Sequence, residues 1–201
     1  MNVILTGVKA SGKSTIGPLL AEALRRPFID IDDVVVRKGR EAFGAALSCA
    51  EIYRAVGELQ YRRLENDAVR EIAGVQTCVL ATGGSTLLSP TVRQLLFAGG
   101  KPVFLNASAD YLWRRIAEKT IPSYLEQHPA PKDAFYRRAE LIRSTLMPLC
   151  NCIVDVESKT PAKITADIQN TLGSTDGLGR VAKGAVAGVP KGANGKSTQP
   201  R

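Results

Sequence analysis

Aromatic side chains make up only 5% of this 201-residue chain, and it holds a single tryptophan and a single histidine, His128. No apolar stretch approaches the eighteen or so residues needed to cross a bilayer, so a membrane span is not expected. The first strand signal begins at Asn2, which leaves no space for a leader peptide, and a cytoplasmic protein is the expectation. Cysteine is scarce too: Cys49, Cys78, Cys150 and Cys152. The Cys150-Asn151-Cys152 spacing lacks a second Cys/His pair and runs into an apolar strand, so buried thiols are expected there in place of metal ligands.

Acidic residues are in deficit, 19 against 27 Lys and Arg, for a net charge of +8. Half of that excess sits at one end. From Leu172 onward, five basic residues oppose Asp176 alone, giving +4, and seven of the eighteen glycines fall there with no aromatic residue. Such a segment cannot bury enough surface to offset the entropy of ordering it. Residues 174–201 are therefore expected to be a disordered, basic, glycine-rich tail, and the charge is not read as a nucleic-acid signal. The preceding 173 residues suffice for one domain with a substantial core.

What is present is concentrated near the start. Val3-Ile4-Leu5 runs into Gly7-Val8-Lys9-Ala10-Ser11-Gly12-Lys13-Ser14-Thr15, which fits G-x-x-x-x-G-K-[ST]. Glycines at both ends of such a loop let successive backbone N–H groups converge on a phosphate. Lys13 is placed to reach the outer phosphates and Ser14 to bind Mg²⁺, and the helix that follows adds the positive end of its dipole. Gly7, Ala10, Ser11, Gly12, Lys13, Ser14 and Thr15 are thus expected to hold a nucleoside triphosphate.

Short apolar runs recur at Val3–Thr6, Phe28–Ile31, Cys78–Thr82, Pro102–Leu105 and Cys152–Val156, none strictly alternating, as in strands covered on both faces. Helical signals separate them. Ser48 with Glu51 makes a capping box, Ser89-Pro90 opens a helix that Gly99-Gly100 closes, and others follow Ser11, Ser108 and Thr160-Pro161. Alternating strands and helices predict an α/β fold, a three-layer α/β/α sandwich around a five-stranded parallel sheet. Pro18 sits awkwardly in the second turn of the first helix, with Gly17 beside it to absorb a kink.

The acceptor must be read elsewhere. The strand ending Thr82-Gly83-Gly84 carries no acid, and carboxylates appear instead in Asp30-Ile31-Asp32-Asp33. Asp30 and Asp32 share a face if the strand persists, one able to support Mg²⁺ and the other to receive a hydroxyl proton; the competing reading is simple helix capping by Asp32 or Asp33. Farther along, Leu64, Ala68 and Ile72 read as one buried helix stripe, leaving Arg62 and Glu65 off it.

The phosphate loop, Phe28-Ile29-Asp30-Ile31-Asp32, the stretch Gly57-Glu58-Leu59-Gln60-Tyr61-Arg62-Arg63-Leu64-Glu65, Ala81-Thr82-Gly83-Gly84 and Lys159-Thr160-Pro161 stand in the order and spacing of the shikimate kinases. Residues 1–173 resemble that family of P-loop small-molecule kinases. The resemblance implies ATP and Mg²⁺, a small hydroxy acid as substrate, and phosphorylation of the 3-hydroxyl of shikimate in aromatic amino-acid biosynthesis. It implies a monomer, with no nucleic-acid or membrane partner. By position, Asp30 with Ser14 supports Mg²⁺, Asp32 binds and deprotonates the acceptor, and Arg62, oriented by Glu65, grips its carboxylate. Gly83 and Gly84 contact substrate, Arg115 and Pro161 flank adenine, and residues 117–134 form a lid.

The chain departs from the family in three places. Ser85 replaces a third glycine. The lid reads Thr120-Ile121-Pro122-Ser123-Tyr124-Leu125 without the arginine expected there, leaving Lys119, Lys132, Arg137 and Arg138 as candidate cations. Leu146 stands where a second carboxylate-binding arginine is expected, with Arg143 one turn earlier as substitute. His128 reads as a loop residue in place of a catalytic base. Two other functions stay open on these residues: a kinase of another small hydroxylated acid or sugar, of gluconate type, and an ATP-binding regulatory protein with little turnover.

Overall fold

In a computed structural model, residues 1–119 and 121–173 are described; Thr120 and the expected tail at 174–201 lie outside the described residues. Five strands, β1 (Asn2–Thr6), β2 (Phe28–Asp30), β3 (Val79–Ala81), β4 (Gly100–Asn106) and β5 (Cys152–Asp155), form one parallel sheet in the order β2-β3-β1-β4-β5. All of β1 and β3 is buried, which is why Val3-Ile4-Leu5 and Val79-Leu80-Ala81 are continuous apolar runs. The helices are α1 (Lys13–Leu24), α2 (Ile31–Phe43), α3 (Cys49–Ile72), α4 (Pro90–Ala98), α5 (Ala109–Ala117), α6 (Pro131–Leu146) and α7 (Pro161–Gly173), and they complete the α/β/α sandwich.

Because β1 lies at the centre, the chain leaves it first toward β2 and later toward β4. That reversal opens a crevice at the carboxyl ends of the strands, where α/β proteins bind ligands. Register aligns those ends: Leu5 pairs with Ala81, and Ala81 with Asp30. The phosphate loop, Asp30 and Thr82-Gly83-Gly84 therefore emerge along one rim.

Several caps form as their sequences predict. Ser48 and Glu51 make the reciprocal capping box of α3, and Ser108 accepts from the Tyr111 N–H at the start of α5. Two features were not legible. Gly57 interrupts α3 with φ 74°, a left-handed angle that a side chain resists, so α3 is two helices joined at a bend. Helix α1 runs unbroken through Pro18, and Gly17 serves packing: a Cβ there would stand 2.2 Å from the Phe28 ring.

Candidate active site

The phosphate loop links β1 to α1. Gly7 has φ 143° and Gly12 φ 99°, and a Cβ on Gly7 would lie 2.6 Å from the Leu105 carbonyl oxygen, so both positions need glycine. Ala10 also takes a left-handed angle, φ 69°, a strained one for a residue with a side chain. Lys13 folds into the loop, donating to the carbonyls of Gly7 (2.9 Å) and Val8 (3.0 Å) and to Ser11 Oγ (3.4 Å). Burial lowers its pKa to about 8, with nearby Asp32 acting against that fall. A desolvated ammonium inside a ring of backbone groups is a site that an anion would stabilise.

Asp30 ends β2 and caps α2. Its Oδ1 accepts from the Asp32 N–H at 3.1 Å, and its Oδ2 accepts from Ser14 Oγ at 2.8 Å. The expectation that Asp30 and Asp32 share a strand face is corrected: the strand stops at Asp30, and Asp32 lies in the first turn of α2. Capping also falls to Asp30 in place of Asp32 or Asp33. Asp32 is turned inward beside Gly83, and burial, followed by the charge of Asp30, raises its pKa above the usual carboxylate range. Among the described residues no group of three His, Cys, Asp or Glu side chains is placed to hold a metal ion by itself. One carboxylate with a hydroxyl suits Mg²⁺, which commonly takes its remaining ligands from phosphates and water.

Two cavities meet at this rim. The phosphate-side cavity is lined by loop residues including Ala10, Lys13, Ser14 and Thr15, with Arg115 and Lys119 beyond. The other, about 140 Å³, is lined by Tyr61, Arg62, Glu65, Ser85, Tyr124 and Arg138 among others, a space for a small metabolite. Lys9, Asp32, Gly83 and Gly84 line both.

Within the second cavity Arg62 pairs with Glu65 and reaches Glu58 at 3.4 Å. Glu65 itself is buried, only 3% exposed, and accepts from Thr86 Oγ1 at 2.9 Å. This corrects the helix-stripe expectation: the buried stripe of α3 is Tyr61, Glu65, Ala68 and Ile72, with Leu64 half-buried at its edge. A carboxylate can occupy that stripe because an arginine and a hydroxyl satisfy it.

Arg143 is not beside Arg62, and its expected role is corrected. It donates to the Ala107 carbonyl at 2.6 Å and faces a separate groove with Arg137 and Glu157. The arginine that does join Arg62 is Arg138. Arg143 lies five positions beyond Arg138, about 140° around the helix axis. Arg138 donates from Nε to Ser85 Oγ (2.9 Å), reaches Glu58 (3.3 Å) and lies over the Tyr124 ring at 4.5 Å. The serine that replaces the third glycine thus holds this guanidinium. The buried run Phe135, Ala139, Ile142 and Leu146 fixes the face of α6, from which Arg138's place on its edge could have been read had that helix been delimited.

The segment expected to form the lid packs against α3. Leu125 is buried, Tyr124 enters the second cavity, and Arg54 clamps Glu126 with bonds of 2.9 and 2.7 Å. Of the four candidate cations, Lys119 lines the phosphate-side cavity, Lys132 lies over Tyr136, Arg137 faces the groove of Arg143, and Arg138 enters the second cavity. His128 accepts the Ala130 N–H through Nδ1. Arg115 leans on the Tyr111 ring at 5.6 Å, while Pro161 is the exposed first residue of α7. No helix is long and apolar enough to cross a membrane among the described residues. The four cysteines are unpaired; Cys49 borders the second cavity, and burial pushes its thiol up to about 11.

The sequence model of the shikimate kinase family matches residues 9–173. A shikimate kinase of Geobacter metallireducens is 36% identical over 149 residues, covering 70% of this chain and 80% of that protein. One from Nitrosospira multiformis is 30% identical over 174 residues, 85% of this chain and 84% of that one. The solved shikimate kinase of Acinetobacter baumannii in complex with shikimate superposes with a TM-score of 0.71 at 26% identity, covering 86% of this chain and 93% of that chain. The phosphate loop, Asp30 and Asp32 at the junction of β2 and α2, and the arginine pocket facing them are carried on that shared scaffold, and the chain belongs to the shikimate kinase family.

Proposed function

We propose that this enzyme transfers the γ-phosphoryl group of ATP to the 3-hydroxyl of shikimate. The observation that supports it most directly is the pair of abutting cavities: a phosphate loop on one side, two guanidiniums on the other, and Asp32 on the boundary. Planar guanidiniums suit a carboxylate because each can donate two parallel hydrogen bonds.

In this reading Gly7, Ala10, Ser11, Gly12 and Thr15 cradle the phosphates, Lys13 neutralises them, and Arg115 and Pro161 flank the base. Ser14 and Asp30 would hold Mg²⁺, which neutralises charge on the phosphate oxygens when bound. Arg62 and Arg138 anchor the acceptor carboxylate, so that its hydroxyl lies against Asp32. The acceptor oxygen forms a bond to phosphorus, the bond from phosphorus to the bridging oxygen breaks with its electrons passing to ADP, and the hydroxyl proton goes to Asp32. Gly83 and Gly84 leave room for substrate between the two cavities. The lid over α3 excludes water that would otherwise compete as acceptor.

ADP release measured on shikimate, gluconate and neutral sugars tests this. Shikimate is expected to be turned over with a kcat/KM at least ~100-fold above the others, and Asp32→Asn is expected to lower kcat at least ~100-fold. ADP release on another acceptor alone, or none on any acceptor while ATP still binds, would overturn the assignment.

A further inference from the structure

The group being transferred spreads negative charge over three oxygens, and a cation placed there lowers the barrier more than one placed on the reactants. Most cations around the two cavities are already engaged. Lys13 is committed to loop carbonyls, Arg115 leans on Tyr111, and Arg62 and Arg138 are held by Glu58, Glu65 and Ser85 at the far end of the acceptor cavity. Lys119 lines the phosphate cavity only.

Lys9 is placed differently. It is the one cation among the four residues that line both cavities, opposite in charge to Asp32, which shares that boundary. Its side chain is exposed, and its ammonium makes no hydrogen bond or ion pair among the described residues. The backbone beneath it is held closely. A Cβ on Gly84 would stand 3.2 Å from the Lys9 nitrogen and 3.7 Å from its Cα, so the segment after β3 packs directly on this residue.

We propose that Lys9 is a catalytic residue, its ammonium contacting the equatorial oxygens of the phosphoryl group as that group passes from ADP to the acceptor. This inference rests on the proposed kinase reading. It assigns the transition-state cation to the phosphate loop itself in place of the lid.

Lys9→Met, nearly equal in volume, and Lys9→Arg test it in the full-length protein. Lys9→Met is expected to lower kcat ~10²–10³-fold, the range for loss of one charge-stabilising donor, with the KM for acceptor and the Kd for ADP changed less than ~3-fold. Lys9→Arg is expected to stay within ~10-fold of the parent. Calorimetric binding of ADP with aluminium fluoride, which mimics the phosphoryl group in flight, is read without any acceptor. The gain that fluoride brings over ADP alone is expected to fall at least ~30-fold in Lys9→Met. A Lys9→Met enzyme within ~3-fold of parent turnover, an unchanged fluoride gain, parallel loss of ADP affinity, or a Lys9→Arg enzyme as slow as Lys9→Met would each overturn the proposal. Should the parent ignore shikimate while the fluoride gain still depends on Lys9, the acceptor assignment fails and the role of Lys9 stands.

Discussion

Removing Arg62 should destabilise the protein and weaken acceptor binding, for two separable reasons. Glu65 is 4% exposed at its side chain and Arg62 29%, so Arg62→Met leaves a carboxylate in the interior with the Thr86 hydroxyl as its remaining partner. Breaking a fully buried pair from one side costs about 3–5 kcal/mol, and partial exposure of the arginine lowers that figure. Protonation sets a ceiling: neutralising an ordinary carboxylate at pH 7 costs about 3.5 kcal/mol, and at pH 5 about 1 kcal/mol. A loss of about 2–3 kcal/mol at pH 7 follows, or roughly 4–12 °C in Tm for a domain of this size. The sign with pH is fixed: the orphaned acid favours its protonated form in the folded state, so the deficit shrinks as pH falls from 7 to 5. Arg62→Met/Glu65→Gln removes the charge while keeping an acceptor for Thr86, and should return stability to within about 1 kcal/mol of the parent. Acceptor KM should remain raised at least ~100-fold in both variants, because the carboxylate anchor is gone in each. Denaturant unfolding at the two pH values, beside ADP-release kinetics, reads both effects. A single variant as stable as the parent at pH 7, or a double variant that regains acceptor affinity, would refute the reasoning.

Two further outcomes are expected. Arg138→Leu should raise the acceptor KM at least ~30-fold, with Ser85→Gly raising it several-fold through loss of the Nε partner, whereas Arg143→Leu should leave it within ~2-fold; steady-state kinetics on the three variants decides which arginine reads the substrate. Lys13 titrates near 8 without nucleotide, and an anion bound against it must raise that value, so ATP binding at pH 8 should take up about half a proton and its affinity should fall as pH rises further. Calorimetry in buffers of differing ionisation enthalpy measures the uptake, and Lys13→Met should abolish it.

Local chemistry made much of the fold readable. The five strands stand within one or two residues of where their apolar runs place them, because the middle of a strand covered on both faces favours apolar side chains. The capping box at Ser48 and the Pro90 start form as written, since caps depend on residues three apart. Helix α2 was harder to see: it begins at Ile31, directly after the last residue of β2, with no loop between to mark the change.

By itself, the sequence determined the phosphate loop, the parallel sheet and the family to which the chain belongs, because each rests on residues that are neighbours along the chain or on a periodicity the backbone imposes. Only the tertiary structure decided that Glu65 is buried, that Arg138 and not Arg143 joins Arg62, and that Lys9 stands between the two cavities. Those outcomes turn on the rotation of one helix against another and on the approach of segments 53 to 80 residues apart, which no spacing within a motif encodes.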